Sequence, residues 1–150
     1  MVYNHILITT DGSDLAQRGV DQGLSLAKAL GSRVTIITAT ERFPIQGATT
    51  SSGWIGSPVD YERYDEGQKD FANGILSAVK AEAGKLGIRA DTIHVPNEHP
   101  ATAILEAAAS ADCDLIVMAS HGRRGLRKML LGSQTAEVLA HSHTPVLVVH

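Results

Sequence analysis

The sequence predicts an α/β fold: an open five-stranded parallel sheet, doubly wound in the Rossmann-like manner, with helices on both faces. Three observations carry this. Four short runs are almost wholly apolar: ILI (6–8), VTIIT (34–38), LIVM (115–118) and VLVV (146–149). Such runs, rich in Val and Ile, suit strands buried on both faces of a parallel sheet. Amphipathic helical stripes lie between them. The two kinds of element alternate strictly as β-α-β-α-β-α-β-α-β, which selects right-handed crossovers onto a single sheet. A chain of 150 residues has the length of one domain, 1–150, and can bury a core without disulfides or metals.

The first strand runs into TTDGSD, where Ser13 is placed to cap a helix. Ala16, Val20, Leu24 and Ala27 recur at helical spacing, and Gly31 ends that helix. After the second strand, residues 41–68 read as a long loop, because their first part is rich in Gly, Ser, Thr and Pro. Trp54 in this loop is expected to anchor it on the body of the protein. Phe71, Ile75, Val79, Ala83 and Leu86 then form a second helical stripe, ended by Gly87. The run ADTIHV (90–95) alternates instead of being uniformly apolar, which places it at a sheet edge. Pro100 opens a third helix behind His99, a poor cap, with Ile104, Leu105 and Ala108 as its apolar side. A fourth helix runs from Ser133 towards Ser142, with Ala136, Leu139 and Ala140 expected to face inward. Pro145 stops it and starts the last strand.

Composition excludes several classes. The net charge is −3 and the hydrophobic share 43%, so a general nucleic-acid footprint is not expected. No apolar run reaches the length of about 18 residues needed to cross a membrane. The N-terminus has no basic region ahead of a signal-like stretch, so a cytoplasmic, soluble protein is expected. Cys113, the lone cysteine, stands between two Asp and reads as a small buried hydrophobe. Among seven His, none pairs at convincing ligand spacing, so no metal site is expected. No nucleophile with a base and an orienting partner is visible, and catalysis beyond weak ATP hydrolysis is not expected.

The chemistry concentrates in MASHGRRGLRKMLLGS, residues 118–133. Ligands of open parallel sheets sit beyond the carboxyl ends of the strands, where the chain order reverses. Gly122 is expected to adopt positive φ and let backbone N–H groups approach an anion. Gly132 and Ser133 open a helix, whose N-terminus suits phosphate; the Ser133 hydroxyl is expected to cap it or to donate to a phosphate oxygen. Arg123, Arg124, Arg127 and Lys128 add positive charge. The spacing alone fits a phosphate-binding loop and a basic strand–helix turn equally well. The stretch contains neither a Walker A loop nor a dinucleotide fingerprint.

The stretches HILITTDGSDLAQRGVDQGLSLAKALGSRVTIITA and DLIVMASHGRRGLRKMLLGSQTAEVLAHSHTPVLVVH resemble the universal stress protein family, as does HPATAILEAAASADCDLIVM; only 41–68 is unmatched. The resemblance implies the family's ATP-binding branch, marked by Gly-x2-Gly-x9-Gly-Ser/Thr. Gly122, Gly132 and Ser133 match that pattern, and Ala119 replaces its first Gly, where an added methyl is expected to weaken or tilt binding. The resemblance further implies an acidic nucleotide contact at Asp11, adenine against Ala39, ribose and phosphate along Met118 and Ala119, and phosphates held by Gly122, Arg123, Gly132, Ser133, Gln134 and Thr135. It implies ATP, with Mg²⁺ as a companion, and a stress-response module that dimerises through strand 146–149. The competing readings are a member that binds no nucleotide and acts through protein contacts, and a slow ATPase.

Overall fold

The computed structural model describes residues 2–41, 58–122 and 131–150. Nine elements alternate along the chain: β1 (His5–Thr9), α1 (Asp14–Leu30), β2 (Arg33–Ala39), α2 (Pro58–Lys85), β3 (Ala90–Val95), α3 (Pro100–Ser110), β4 (Leu115–Ala119), α4 (Ser133–His141) and β5 (Val146–Val149). All strand pairings are parallel and the sheet order is β3-β2-β1-β4-β5. From β1 the chain winds outward through β2 to β3, then returns across the sheet to β4 and β5. This reversal lies between β1 and β4.

Winding in two directions puts α1 and α2 on one face of the sheet and α3 and α4 on the other. The central strands are therefore buried on both sides. Ile6 and Ile8 join Val20, Leu24, Leu76 and Val79 beneath α1 and α2. Leu7, Ile37 and Ile116 join Ile104, Ala108 and Val138 beneath α3 and α4. The uninterrupted apolar character of residues 6–8 follows directly, since a strand covered twice needs no polar alternation.

The termini of α1 follow their local chemistry. Ser13 is extended, with its hydroxyl accepting from Ala16 N–H, and Gly31 closes the helix in the left-handed region at φ 71°. This helix lies very close to the sheet. A Cβ on Gly23 would stand 2.6 Å from Ile8 Cδ1, and one on Gly19 would stand 3.3 Å from the Ala119 nitrogen.

Four elements differ from the sequence expectation. The helical state of α2 begins at Pro58, so 58–68 is helix rather than loop. Its buried stripe is Ala72, Leu76, Val79 and Ala83, while Phe71 and Leu86 are exposed. The helix is rolled by about one residue, which puts small Ala72 against the sheet and turns bulky Phe71 outward. In α4 the buried residues are Thr135 and Val138, and Ala136, Leu139 and Ala140 are exposed. The attachment of that helix to β4, described below, sets its rotation. The strand β5 is a half-buried edge with Leu147 exposed, not a strand covered on both faces. At the other edge β3 shows no strict alternation: Asp91 and Thr92 are exposed and its other residues are half-buried. An edge strand has too few neighbours for either face to be fully covered.

Cys113 is buried and its thiol is pushed up to about 11 by that burial, with the nearby Asp114 carboxylate adding to it. It packs as a small hydrophobe. His5 is buried at the amino end of the sheet. Its Nδ1 lies 3.0 Å from the Ala111 carbonyl oxygen and its Nε2 2.7 Å from Thr35 Oγ1. A carbonyl only accepts, so Nδ1 carries the hydrogen and the Thr35 hydroxyl donates to Nε2. The Asp114 carboxylate accepts from the backbone N–H groups of Asn4 and His5, tying β4 to β1 at the same end.

Burial, and secondarily the Arg33 charge, holds His5 below its ordinary value of 6.5. Below that pH the unfolded chain binds a proton that the folded chain resists. The stability contributed by this group is thus complete above pH 6.5 and is lost as pH falls towards the folded value. Urea unfolding is expected to show stability declining from pH 7.5 to 5.5. The decline should be shallower in His5→Gln, and an unchanged slope in that variant would assign the effect to other groups.

Candidate site at the carboxyl edge of the sheet

Where β1 and β4 diverge, a crevice of about 520 Å³ opens at the carboxyl ends of the strands. That volume lies within the range of small-molecule sites. Its floor consists of strand ends: Thr10 and Asp11 after β1, Ala39 and Thr40 at β2, and Met118 and Ala119 of β4. The convergence follows from parallel strands, which all deliver their following loops to the same edge.

The wall beside β4 is built by one backbone contact. Gly132 N–H donates to the Ser120 carbonyl oxygen at 2.7 Å, bringing the start of α4 against the end of β4. A Cβ on Gly132 would lie 3.2 Å from His121 Cα and 3.4 Å from Ser120 O. Its φ is −68°, accessible to any residue. Glycine is therefore used here for proximity, not for unusual backbone geometry. Gly122 likewise has no positive φ, contrary to expectation; a Cβ there would lie 2.9 Å from Asp11 Oδ2. A side chain at this position would require the Asp11 carboxylate to move.

Gly132 is itself the cap residue of α4, and no side chain caps this end. Ser133 stands one position further, lining the crevice without capping the helix. The N–H groups of the first turn, from Ser133 to Thr135, have no partner within the helix. They carry its partial positive charge at the crevice.

Two of the expected phosphate-holding side chains have other work. Thr135 is 2% exposed and its hydroxyl donates to the Ala119 carbonyl at 2.9 Å. Its side chain fixes α4 to β4, and only its backbone remains for a ligand. The Gln134 side-chain oxygen accepts from Ala101 N–H at 2.9 Å. His99 makes no capping bond for α3. Gln134 thus supplies the missing cap from a neighbouring helix. His99 instead pairs with Glu137 of α4 at 2.7 Å.

Asp11 stands in the loop after β1, where its Oδ1 accepts from Ser13 N–H at 2.9 Å. This Asx turn orients the carboxylate, with Oδ2 towards Gly122. Ala39 and Met118 line the floor as expected. Ala119 also lines it, but the pleat alternation directs its Cβ to the α1 side, opposite Met118. The backbone of Ala119 there lies against α1, where a Cβ on Gly19 would stand 3.3 Å from its nitrogen. Arg123, Arg124, Arg127 and Lys128 lie outside the described residues, as does Trp54.

Sequence reasoning missed the wall beside β2. Tyr64, Gln68 and Phe71 of α2 line the crevice there, and Pro100 and Ile104 of α3 close it from the other face. The spacing of Tyr64, Gln68 and Phe71 is helical, but the loop-like composition just before them concealed it. Nearby, Thr40 Oγ1 lies 2.8 Å from His94 Nε2. Burial and the Lys69 charge lower the affinity of that imidazole for a proton.

A doubly wound parallel sheet with a crevice at the chain reversal defines the open α/β class, in which ligands sit at that edge of the sheet. Within that class the chain belongs to the universal stress protein family, whose family model matches residues 2–150. It is 34% identical to the universal stress protein YxiE of Bacillus subtilis over 99% of both chains. It is 32% identical to a universal stress protein of Methanocaldococcus jannaschii, over 99% of this chain and 82% of that protein. Among solved structures it resembles a universal stress protein in complex with cAMP, with a TM-score of 0.68, 27% identity, and coverage of 100% and 98% of the two chains. A TM-score of 0.81 relates it to the hypothetical protein MJ0577, at 26% identity over 99% and 96% of the chains. Among the described residues, no helix is long and apolar enough to cross a membrane, and no three His, Cys, Asp or Glu gather as for a metal ion.

Thr135→Val keeps the shape of the side chain and leaves the buried Ala119 carbonyl without its donor. The variant is expected to lose about 1–3 kcal/mol of stability in urea unfolding. Stability equal to wild type would show that the contact does not hold α4 in place.

Proposed function

We propose that this protein binds ATP in the crevice at the β1–β4 divergence and acts as a dimeric stress-response module of one domain. The observation that carries the reading is the Gly132–Ser120 contact, which aims the first turn of α4 into a crevice of nucleotide size. The anionic tail of the ligand would lie on the N–H groups of Ser133, Gln134 and Thr135, with the backbone of Gly122 and Gly132 beside it. Arg123 and its basic neighbours lie between these two glycines in the sequence, and their charge favours phosphate. Adenine would lie towards Ala39, and the ribose along Met118 and Ala119. The cAMP complex of a structural relative supports an adenine nucleotide at this fold.

The residues present fit such a ligand. The floor offers apolar surface from Ile37, Ala39 and Met118, and the β4 side offers backbone donors. Mg²⁺ is commonly held by one or two carboxylates together with substrate phosphates. Asp11 is the carboxylate placed to share it. When bound, the ion would neutralise phosphate charge; the protein's own part is to hold the nucleotide and exclude water from its base.

Assembly follows from the other edge of the sheet. β5 carries apolar side chains on an unpaired edge, with Leu147 39% exposed. An apolar edge is a template for pairing, and a two-fold axis would place β5 against its twin.

Titration calorimetry tests the ligand. Wild type is expected to bind ATP, and Gly132→Val to lose at least about tenfold in affinity, because the branched side chain would push α4 from β4. Folding of the variant is checked by circular dichroism, and equal affinity in the two proteins would overturn the reading. Sedimentation tests assembly: wild type should be dimeric and Val148→Lys monomeric. A folded variant that remains a dimer of unchanged affinity would place the interface elsewhere.

A further inference from the structure

The helix α2 is far longer than the sheet it covers. Its 28 residues extend about 42 Å, whereas the 7 residues of β2 extend about 23 Å. Its fully buried positions begin only at Ala72. The preceding segment, 58–71, accounts for about 20 Å and overhangs the carboxyl edge of the sheet.

This overhang is not uniformly solvated. Asp60, Tyr61, Tyr64 and Gln68 are half-buried, while Glu62, Arg63, Asp65, Glu66, Lys69 and Asp70 are exposed. The half-buried positions follow the helical period and so define one face. Three side chains at the inner end of that face, Tyr64, Gln68 and Phe71, line the crevice. Tyr64 Oη lies 3.4 Å from the Glu41 carbonyl oxygen, joining the overhang to the end of β2. Phe71, one residue from the buried stripe, is 43% exposed and lines the crevice.

The position of this wall relates it to one part of a ligand. The helix end that suits phosphate stands beside β4. The overhang stands beside β2, two strand spacings away, or about 10 Å. A ligand with its anionic tail on α4 and its body along the strand ends carries its far end to Tyr64, Gln68 and Phe71. Aromatic rings suit the flat face of a base. A side-chain amide offers one donor group and one acceptor, the pairing that reads the N6 and N7 edge of adenine, whereas guanine presents two acceptors there.

We propose that the overhanging half of α2 is the base-selecting wall of the crevice, with Phe71 and Tyr64 stacking on a purine and Gln68 distinguishing adenine from guanine. The proposal rests on the nucleotide reading above and adds to it the residues that determine which nucleotide is held. The phosphate end is left to α4, so the two halves of the site act on different parts of the ligand.

The experiment is calorimetric titration of the full chain with ATP, GTP and inorganic tripolyphosphate, the last a probe of the phosphate end alone. Wild type should bind ATP more tightly than either other probe. Phe71→Ala should weaken ATP about tenfold and leave tripolyphosphate within about twofold. The conservative Phe71→Leu covers the apolar surface without a ring and should lose nearly as much. Gln68→Ala should reduce the ATP-to-GTP affinity ratio about tenfold, mainly through ATP. Circular dichroism establishes that each variant is folded, which the partial exposure of both positions favours. If wild type binds ATP while all three variants keep its affinity and the ATP-to-GTP ratio, the wall does not read the base and the nucleotide reading stands. ATP bound no more tightly than tripolyphosphate also overturns the wall. If wild type binds neither ATP nor tripolyphosphate, the nucleotide reading itself falls, and the wall with it.

Discussion

The single backbone bond from Gly132 N–H to the Ser120 carbonyl organises the site. It joins the end of β4 to the beginning of α4. With that end fixed, Thr135 reaches back to the Ala119 carbonyl and Gln134 reaches across to cap α3. Three contacts from four consecutive residues thus lock one helix end to a strand and to a second helix. A larger residue at position 132 would separate the backbones and weaken all three. The glycine is an element of packing, and its φ of −68° confirms that its backbone needs no special freedom.

The sheet places this end where a ligand can reach it. The chain winds one way from β1 and the opposite way from β4, so the helices following these strands lie on opposite faces. A gap between them is unavoidable, and it opens at the carboxyl edge. α1 begins on one side of the gap, capped by Ser13, and α4 on the other, with no side-chain cap. The two loops approach until a Cβ on Gly122 would stand 2.9 Å from the Asp11 carboxylate. The amino edge of the sheet is used differently: His5, Thr35, Asp114 and the Ala111 carbonyl satisfy one another and tie β1, β2 and β4 together.

Much of this was legible in the sequence. The runs 6–8, 34–38, 115–118 and 146–149 each proved to be a strand, and Ser13, Gly31 and Pro100 marked helix ends where the structure has them. These signals are local: a cap or a chain stop acts within one turn. Gly132 and Ser133 also marked a helix start. The helical character of 58–68 was not legible, because the composition of the preceding segment resembles a loop and the charged stripe carries no apolar period. The roles of Thr135 and Gln134 were not legible either. A hydroxyl or an amide at a helix start is equally suited to a ligand and to a neighbouring backbone, and only the neighbour's position decides.

By itself the sequence determined the order of strands and helices, the family, and the segment where ligand chemistry concentrates. It did so because buried parallel strands, caps and glycine-spaced turns each leave a pattern within a few residues. The tertiary structure decided which face of α2 and of α4 is buried, how far α2 overhangs the sheet, and how closely Gly122 and Gly132 are approached by other groups. Helical periodicity reveals that a stripe exists, but the surface packed against it fixes the stripe's rotation. Close approach likewise depends on atoms distant in sequence: Asp11 and Gly122 are separated by most of the chain and meet only because β1 and β4 are neighbours in the sheet.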